Sequence, residues 1–297
     1  MRTRLAVLPA VLLVVGLLAA CGSDSTDTTA TTATTEADAP TTTAAAATPV
    51  ALVARDFAFD VPAQITGGTV SFTYENKGAE PHFAAFAKIA AGKTLDDLKA
   101  ALLTPPGSAA PSDPPPFTDL AGFPTANPGV KGAGTFNLPA GSYAFYCMIP
   151  SPDGVPHGAK GMIQPVTITV GATTALPASV GKVKTVDFGF DAVPPLEPGT
   201  NVVQLDNAGK QLHEINLIEV PAGKKIEDVV AWFRTETGPP PFSFLTGVAV
   251  SAGTSGTGEL VLDAGKTYAF ICAVPDFLGD MKPHVTKGMR TATFTVS

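Results

Sequence analysis

The chain has 297 residues, with 19 Lys+Arg against 26 Asp+Glu and a formal net charge of −7. That acidity argues against nucleic acid or anionic lipid as a partner and weakly favours a basic one. The sequence contains no P-loop and no dinucleotide fingerprint.

Residues 1–21 read as an export leader. Arg2 and Arg4 form its charged end, Leu5 to Ala20 is almost wholly apolar, and Leu18-Ala19-Ala20-Cys21-Gly22 resembles a bacterial lipobox. On this reading Cys21 is lipidated, which anchors the chain to the outer face of the cell membrane without spanning it. The alternative is a plain signal peptide with an incidental cysteine. Loss of the leader removes two basic residues and leaves 17 Lys+Arg against 26 Asp+Glu, a net of −9. Residues 22–48 are Thr, Ala, Ser and Asp without aromatics or periodicity; they cannot bury a core and are expected to form a disordered tether.

Residues 49–170 form the first predicted domain. Val50, Leu52, Phe57, Phe59 and Val61 alternate as strands do, as do Val70, Phe72 and Tyr74, and Phe83 to Ala87 follow His82 in the same style. Residues 92–98 read as a short helix capped by Thr94 and Asp97, with Leu95, Leu98 and Leu102 on one face, covering one end of the sandwich. Residues 105–128 read as a Pro/Gly-rich loop. Phe136 to Cys147 holds the strand that enters a site, and Ile163, Val166, Ile168 and Val170 close the sheet.

Residues 171–179 are a short linker, and residues 180–297 repeat the plan, with a matching helix at 223–229. Val186 to Phe190 and Asn201 to Leu205 are strands, and Pro114-Pro115-Pro116-Phe117 recurs as Pro239-Pro240-Pro241-Phe242. Offsets between the repeats are 131 from His82 to His213, 125 from Cys147 to Cys272, and 127 both from His157 to His284 and from Met162 to Met289. This is a duplication with small indels. Many short strands at regular spacing make the chain all-β, with two tandem Greek-key sandwiches and one short helix each.

The chemistry-bearing residues follow the repeat. Each copy offers an upstream histidine after Asn-x-Gly (His82, His213) and a cysteine at the end of an aromatic strand (Cys147, Cys272). Beyond a Pro/Gly loop each adds a histidine (His157, His284) and then a Gly-Met (Met162, Met289). All four histidines of the chain fall into these two sets, leaving none for a Ser-His-Asp triad. Two imidazoles, a thiolate and a weak thioether are the ligands of a type-1 copper site.

Each half resembles a cupredoxin domain of the plastocyanin/azurin/pseudoazurin family. The resemblance rests on Asn76-Lys77-Gly78-Ala79-Glu80-Pro81-His82, Gly141-Ser142-Tyr143-Ala144-Phe145-Tyr146-Cys147 and His157-Gly158-Ala159-Lys160-Gly161-Met162, with one extra residue in the second copy's strand. The Cys-to-His loops hold nine and eleven residues, longer than in small cupredoxins and nearer the type-1 site of copper nitrite reductase. The resemblance implies one copper per domain at His82, Cys147, His157 and Met162, and at His213, Cys272, His284 and Met289. It implies one-electron cycling between Cu(I) and Cu(II) and an unidentified redox partner docking near His157 or His284. Multicopper oxidases and nitrite reductase need a further histidine beside the cysteine. Here Tyr146, Met148, Ile271 and Ala273 flank the two cysteines, so the sequence reading is a chain that is not an enzyme. Three alternatives stand beside it: copper storage or delivery to a copper-handling protein at the cell surface, a metal-free binding module of the same fold, and a Cys147–Cys272 disulfide. Met148 and Met281 have no counterpart in the other copy and are not counted as ligands, although Met281 competes with Met289.

Overall fold

The computed structural model describes residues 49–104 and 115–297. The leader, Cys21, the tether and the first part of the Pro/Gly-rich stretch lie outside the described residues.

The first repeat supplies β1 (Val50–Arg55), β2 (Ala58–Asp60), β3 (Gln64–Thr66), β4 (Gly68–Asn76), β5 (His82–Ile89), β6 (Phe117–Ala126), β7 (Lys131–Leu138), β8 (Gly141–Tyr146) and β9 (Ile163–Thr169). The second supplies β10 (Gly181–Val186), β11 (Gly189–Ala192), β12 (Gly199–Asn207), β13 (His213–Glu219), β14 (Ser243–Val250), β15 (Ser255–Leu262), β16 (Thr267–Ile271) and β17 (Phe294–Thr295). The fold is all-β with two short helices, as the alternating pattern predicts; along β4, for example, every second residue is buried.

The strands assemble into two sheets that both repeats share. One runs β11-β10-β12-β15-β7-β4-β1-β2 and the other β17-β16-β13-β14-β6-β5-β8-β9-β3. The repeats meet edge to edge. In the first sheet β15 pairs with β7 from Gly256↔Phe136 to Glu259↔Ala133, and in the second β14 meets β6 at Ala249↔Gly122 and Val250↔Ala121. Each repeat thereby covers an edge that would otherwise leave a row of unpaired N–H and C=O groups. Between the sheets, Phe72 and Phe136 from one meet Phe86 and Phe145 from the other. Phe86 and Phe145 stack at 4.2 Å and Phe86 meets Phe136 edge-on at 5.4 Å. Such pairs add about 0.5–1.5 kcal/mol each beyond the area they bury.

One strand expectation is corrected. The stretch 105–128 was expected to be loop, but it contains the ten-residue strand β6, inserted between β5 and β14. Pro124 and Gly122 disguise it, since Pro gives no donor to a ladder and Gly weakens a strand. Gly122 is required here: it has φ 145°, and a Cβ would collide with the Ala84 carbonyl of the neighbouring strand. Within Phe136 to Cys147 the strand that enters the site is β8; Pro139 and Ala140 separate it from β7, and the two sit in different sheets.

The helices are α1 (Leu95–Leu103) and α2 (Ile226–Thr235). Thr94 and Asp97 form the expected reciprocal cap, with Asp97 N–H donating to Thr94 Oγ1 at 3.1 Å and Thr94 N–H to Asp97 Oδ2 at 2.7 Å. Leu98 of α1 packs with Ala87, Ala144 and Tyr146 on the outer face of the second sheet, not at an end of the sandwich. Val229, Val230 and Phe233 of α2 cover Ile218, Ala269 and Ile271 in the same way.

Candidate metal centres

β5 and β8 run antiparallel with Ala85 opposite Tyr146. The first residue of β5 and the residue after β8 therefore reach the same end of the sheet, which brings His82 beside Cys147. In the second repeat β13 and β16 pair Asn216 with Ile271, which does the same for His213 and Cys272.

The Asn-x-Gly element explains how the upstream histidine is delivered. Asn76 Nδ2 donates to the carbonyls of Glu80 at 3.0 Å and Ala126 at 2.9 Å, and its Oδ1 accepts from Gly78 N–H at 2.9 Å. Asn207 makes the equivalent bonds to Gln211, Val250 and Gly209. One buried amide thus ties the incoming loop to the end of the adjacent strand. Glycine is needed because a Cβ on Gly78 would lie 2.5 Å from both Asp56 Oδ1 and His82 Nε2; Gly209 is crowded in the same way by His213 and Asp187.

The downstream histidine opens a single turn of 3-10 helix, His157–Lys160 or His284–Lys287. The long loops before these turns are pinned. Pro150 bridges Pro156 and Pro275 bridges Pro283, while His157 N–H donates to Ile149 O and His284 N–H to Val274 O, both at 2.9 Å. Met162 N–H then bonds His157 O at 3.0 Å, and Cys147 N–H bonds Met162 O at 3.1 Å; Met289 repeats both bonds with His284 and Cys272. Met162 and Met289 are fully buried, and Met289 packs in one cluster with Cys272.

The structure brings His82, Cys147 and His157 together, and likewise His213, Cys272 and His284. In each trio the donor atoms lie within 4.8 Å of one another, and all six residues are fully buried. In the first trio the two Nδ1 atoms are 2.9 Å apart, and Cys147 Sγ is 3.5 Å from His157 Nδ1. In the second, Cys272 Sγ lies 3.4 Å from His284 Nδ1 and 4.0 Å from His213 Nδ1. Both cysteines are free. Met148 packs on the outer face of the sheet, and Met281 sits half-exposed on its loop, so neither joins a trio.

Carboxylates behind the imidazoles were missed from the sequence. His82 Nε2–H donates to Asp56 Oδ1 at 3.1 Å, His213 Nε2–H to Asp187 Oδ1 at 3.1 Å, and His157 Nε2–H to Glu80 Oε2 at 2.9 Å. The signal was a repeat: Asp56-Phe57-Ala58-Phe59 recurs as Asp187-Phe188-Gly189-Phe190. The Phe of each turn takes a left-handed backbone, φ 67° at Phe57 and 65° at Phe188, rare for a bulky side chain. Its ring meets the downstream histidine edge-on, at 5.4 Å from His157 and 5.1 Å from His284. Lys160 and Lys287 cover the outer faces of the two rings.

These contacts decide what the trios suit. With Nε2–H of His82 and His157 both donated to carboxylates, both Nδ1 atoms carry bare lone pairs that face each other and the cysteine sulfur. Three electron-rich atoms converging in a buried space call for a cation between them. Burial pushes the Cys147 thiol up to about 12, against backbone hydrogen bonds that lower it, and Cys272 is pushed well above the ordinary thiol range. Burial lowers His82 and His213 despite their carboxylate partners, and it lowers His284 to about 4 with His213 adding to the effect. These three imidazoles are thus kept neutral, as ligands must be, and a metal would displace the thiol proton. A thiolate with two imidazoles fits copper, the thiolate suiting Cu(I) and the nitrogens Cu(II).

No family model matches the chain, and no curated protein matches it. Solved structures do. Reduced auracyanin from Roseiflexus castenholzii is 23% identical, covering 41% of this chain and 94% of its own, with a TM-score of 0.27. Copper nitrite reductase from Nitrosomonas europaea is 16% identical over 84% of this chain and 93% of its own, with a TM-score of 0.23. Blue copper oxidase from the same organism is 15% identical over 83% and 84%, with a TM-score of 0.24. The neighbours are cupredoxins, and the likeness is one of fold. They correct one expectation: matches spanning four fifths of the chain include proteins titled as a reductase and an oxidase, so the reading that this chain is not an enzyme does not stand. At these identities the likeness carries no particular activity to it.

Proposed function

We propose that the chain is a surface-anchored copper protein with two type-1-like mononuclear centres and that it passes single electrons. The observation that carries this reading is the convergence of two imidazole nitrogens and a cysteine sulfur in each repeat, buried and within 4.8 Å. His82, Cys147 and His157 would hold the first copper, with Met162 as the thioether donor. His213, Cys272 and His284 would hold the second, with Met289. Copper in such a set supplies a one-electron couple. The chain's own residues fix the ligands. Asp56, Asp187 and Glu80 set imidazole tautomer and orientation, the Asn76 and Asn207 amides hold the upstream loops, and the proline bridges hold the downstream ones. A site so braced changes little between oxidation states.

The anchoring half rests on the sequence of residues 1–21, with Cys21 as the lipid-bearing residue and 22–48 as the tether. A redox partner would meet an acidic protein, of net charge −9 once the leader is removed. Spectroelectrochemistry of the copper-loaded chain with a small electron donor tests the shuttle: reversible cycling with metal retained supports it. Release of copper to a chelator on reduction would instead favour storage or delivery at the cell surface.

A further inference from the structure

The two trios differ on the side facing away from the cysteine. In the first, His157 Nε2 donates to Glu80 Oε2 at 2.9 Å. In the second, the residue at the place of Glu80 is Gln211, and it has turned elsewhere. Its Nε2 donates to Asp276 Oδ1 at 2.8 Å and its Oε1 accepts from Leu278 N–H at 3.3 Å. Asp276 is in turn engaged by Lys287, which also pairs with Asp280 at 2.8 Å. His284 Nε2 is left buried with no hydrogen-bond partner among the described residues. One repeat thus places a carboxylate against its downstream imidazole, and the other withdraws the equivalent side chain into a separate network.

We propose that Glu80 is a positioning residue that makes the first centre a weaker oxidant than the second. The inference rests on the copper reading above. A carboxylate accepting from the far nitrogen of a ligating imidazole raises the basicity of the near nitrogen and fixes its tautomer. Its negative charge, little exposed at 25%, also favours the more positive oxidation state of a nearby ion. Both effects stabilise Cu(II) over Cu(I) at the first centre. At the second, no carboxylate among the described residues accepts from His284 Nε2, and Asp276, which acts on His284 only through space, is paired with Lys287, so Cu(I) is relatively favoured there. An electron shared between them would rest on the second: copper(I) at the first is oxidised to copper(II) as copper(II) at the second is reduced to copper(I).

The test is redox titration of the full copper-loaded chain alongside Cys147→Ser and Cys272→Ser, which each leave one centre. Two one-electron waves are expected, the lower surviving in Cys272→Ser and the higher in Cys147→Ser. Glu80→Gln, made in Cys272→Ser, removes the charge at nearly constant shape. It is expected to weaken Cu(II) binding about 10–100-fold and Cu(I) binding less. Each tenfold of that difference appears as a positive shift of about 59 mV for a one-electron couple. A merely structural Glu80 would change melting temperature and leave the potential in place, and that result overturns the inference. So do equal potentials in the two single-centre chains, a comparison that needs no Glu80 variant to fold. Absence of bound copper in the parent chain overturns the copper reading itself, whereas equal potentials with two coppers bound overturn only the role of Glu80.

Discussion

Asp56→Ala tests whether the carboxylate behind the upstream histidine is part of the first centre. Asp56 accepts from His82 Nε2–H at 3.1 Å, from Ala79 N–H at 2.9 and 3.0 Å, and from Glu80 N–H at 3.2 Å. Burial opposes its charged form, but these donors prevail and hold its carboxyl below the usual carboxylate range. The two amides lie on an exposed loop and find water when Asp56 is removed. His82 is fully buried and finds none, so its orphaned N–H costs about 1–3 kcal/mol. The imidazole also loses its fixed tautomer, for which about 10–100-fold in copper affinity is expected, or about 1.4 kcal/mol per tenfold. Asp56→Asn keeps an acceptor without the charge and should fall between the two. The assay is copper competition against a chelator, with urea unfolding of the metal-free chain, in Cys272→Ser so that only the first centre loads. Unchanged affinity and unchanged unfolding midpoint in Asp56→Ala would refute the assignment.

Gly209→Ala drives a methyl into the His213–Asp187 contact; copper binding at the second centre should fall about 10–100-fold with the first unchanged, read as loss of one metal equivalent under competition. Phe57 holds φ 67°, a conformation costing an L-residue roughly 1–2 kcal/mol. Phe57→Gly should therefore be more stable than Phe57→Ala by about 1 kcal/mol in denaturant titration, although both lose the ring against His157. Glu214 is buried beside Cys272, accepts from Ala273 N–H at 2.8 Å, and is raised by burial to about 7 from 4.5. Below pH 4.5 its carboxyl is protonated in the folded and unfolded states alike and the stability is fully present. As pH rises through 7 the unfolded chain ionises first, and the metal-free protein loses on the order of 3 kcal/mol. Glu214→Gln should flatten that slope in melting temperature measured from pH 4 to 8; an unaltered slope would contradict it.

The donors of each trio were legible because histidine and cysteine are scarce here and every histidine fell into a repeated pattern. The helix cap at Thr94 and Asp97 was legible because capping chemistry is local. Asp56 and Asp187 were not: each stands 26 residues before its histidine, in a turn whose composition looks ordinary, and only alignment of the two Asp-Phe-x-Phe turns exposes them. Glu80 was visible as part of the motif leading to His82, but its contact with His157 depends on how the downstream loop folds back. The sharing of both sheets by both repeats was hidden for another reason. Edge pairing such as β14 on β6 is made by backbone groups, and side-chain patterning reports which face is buried, not which neighbour completes the ladder. β6 itself was obscured by Pro124 and Gly122, which in sequence read as loop.

The most direct test of two buried trios is a copper count with a visible spectrum on the loaded full-length chain and on its cysteine variants. Two coppers per chain, falling to one in Cys147→Ser and in Cys272→Ser and to none in the double variant, with thiolate-to-copper absorption lost in step, is the predicted result. Copper bound equally well without either cysteine, or no copper in the parent chain, would contradict it.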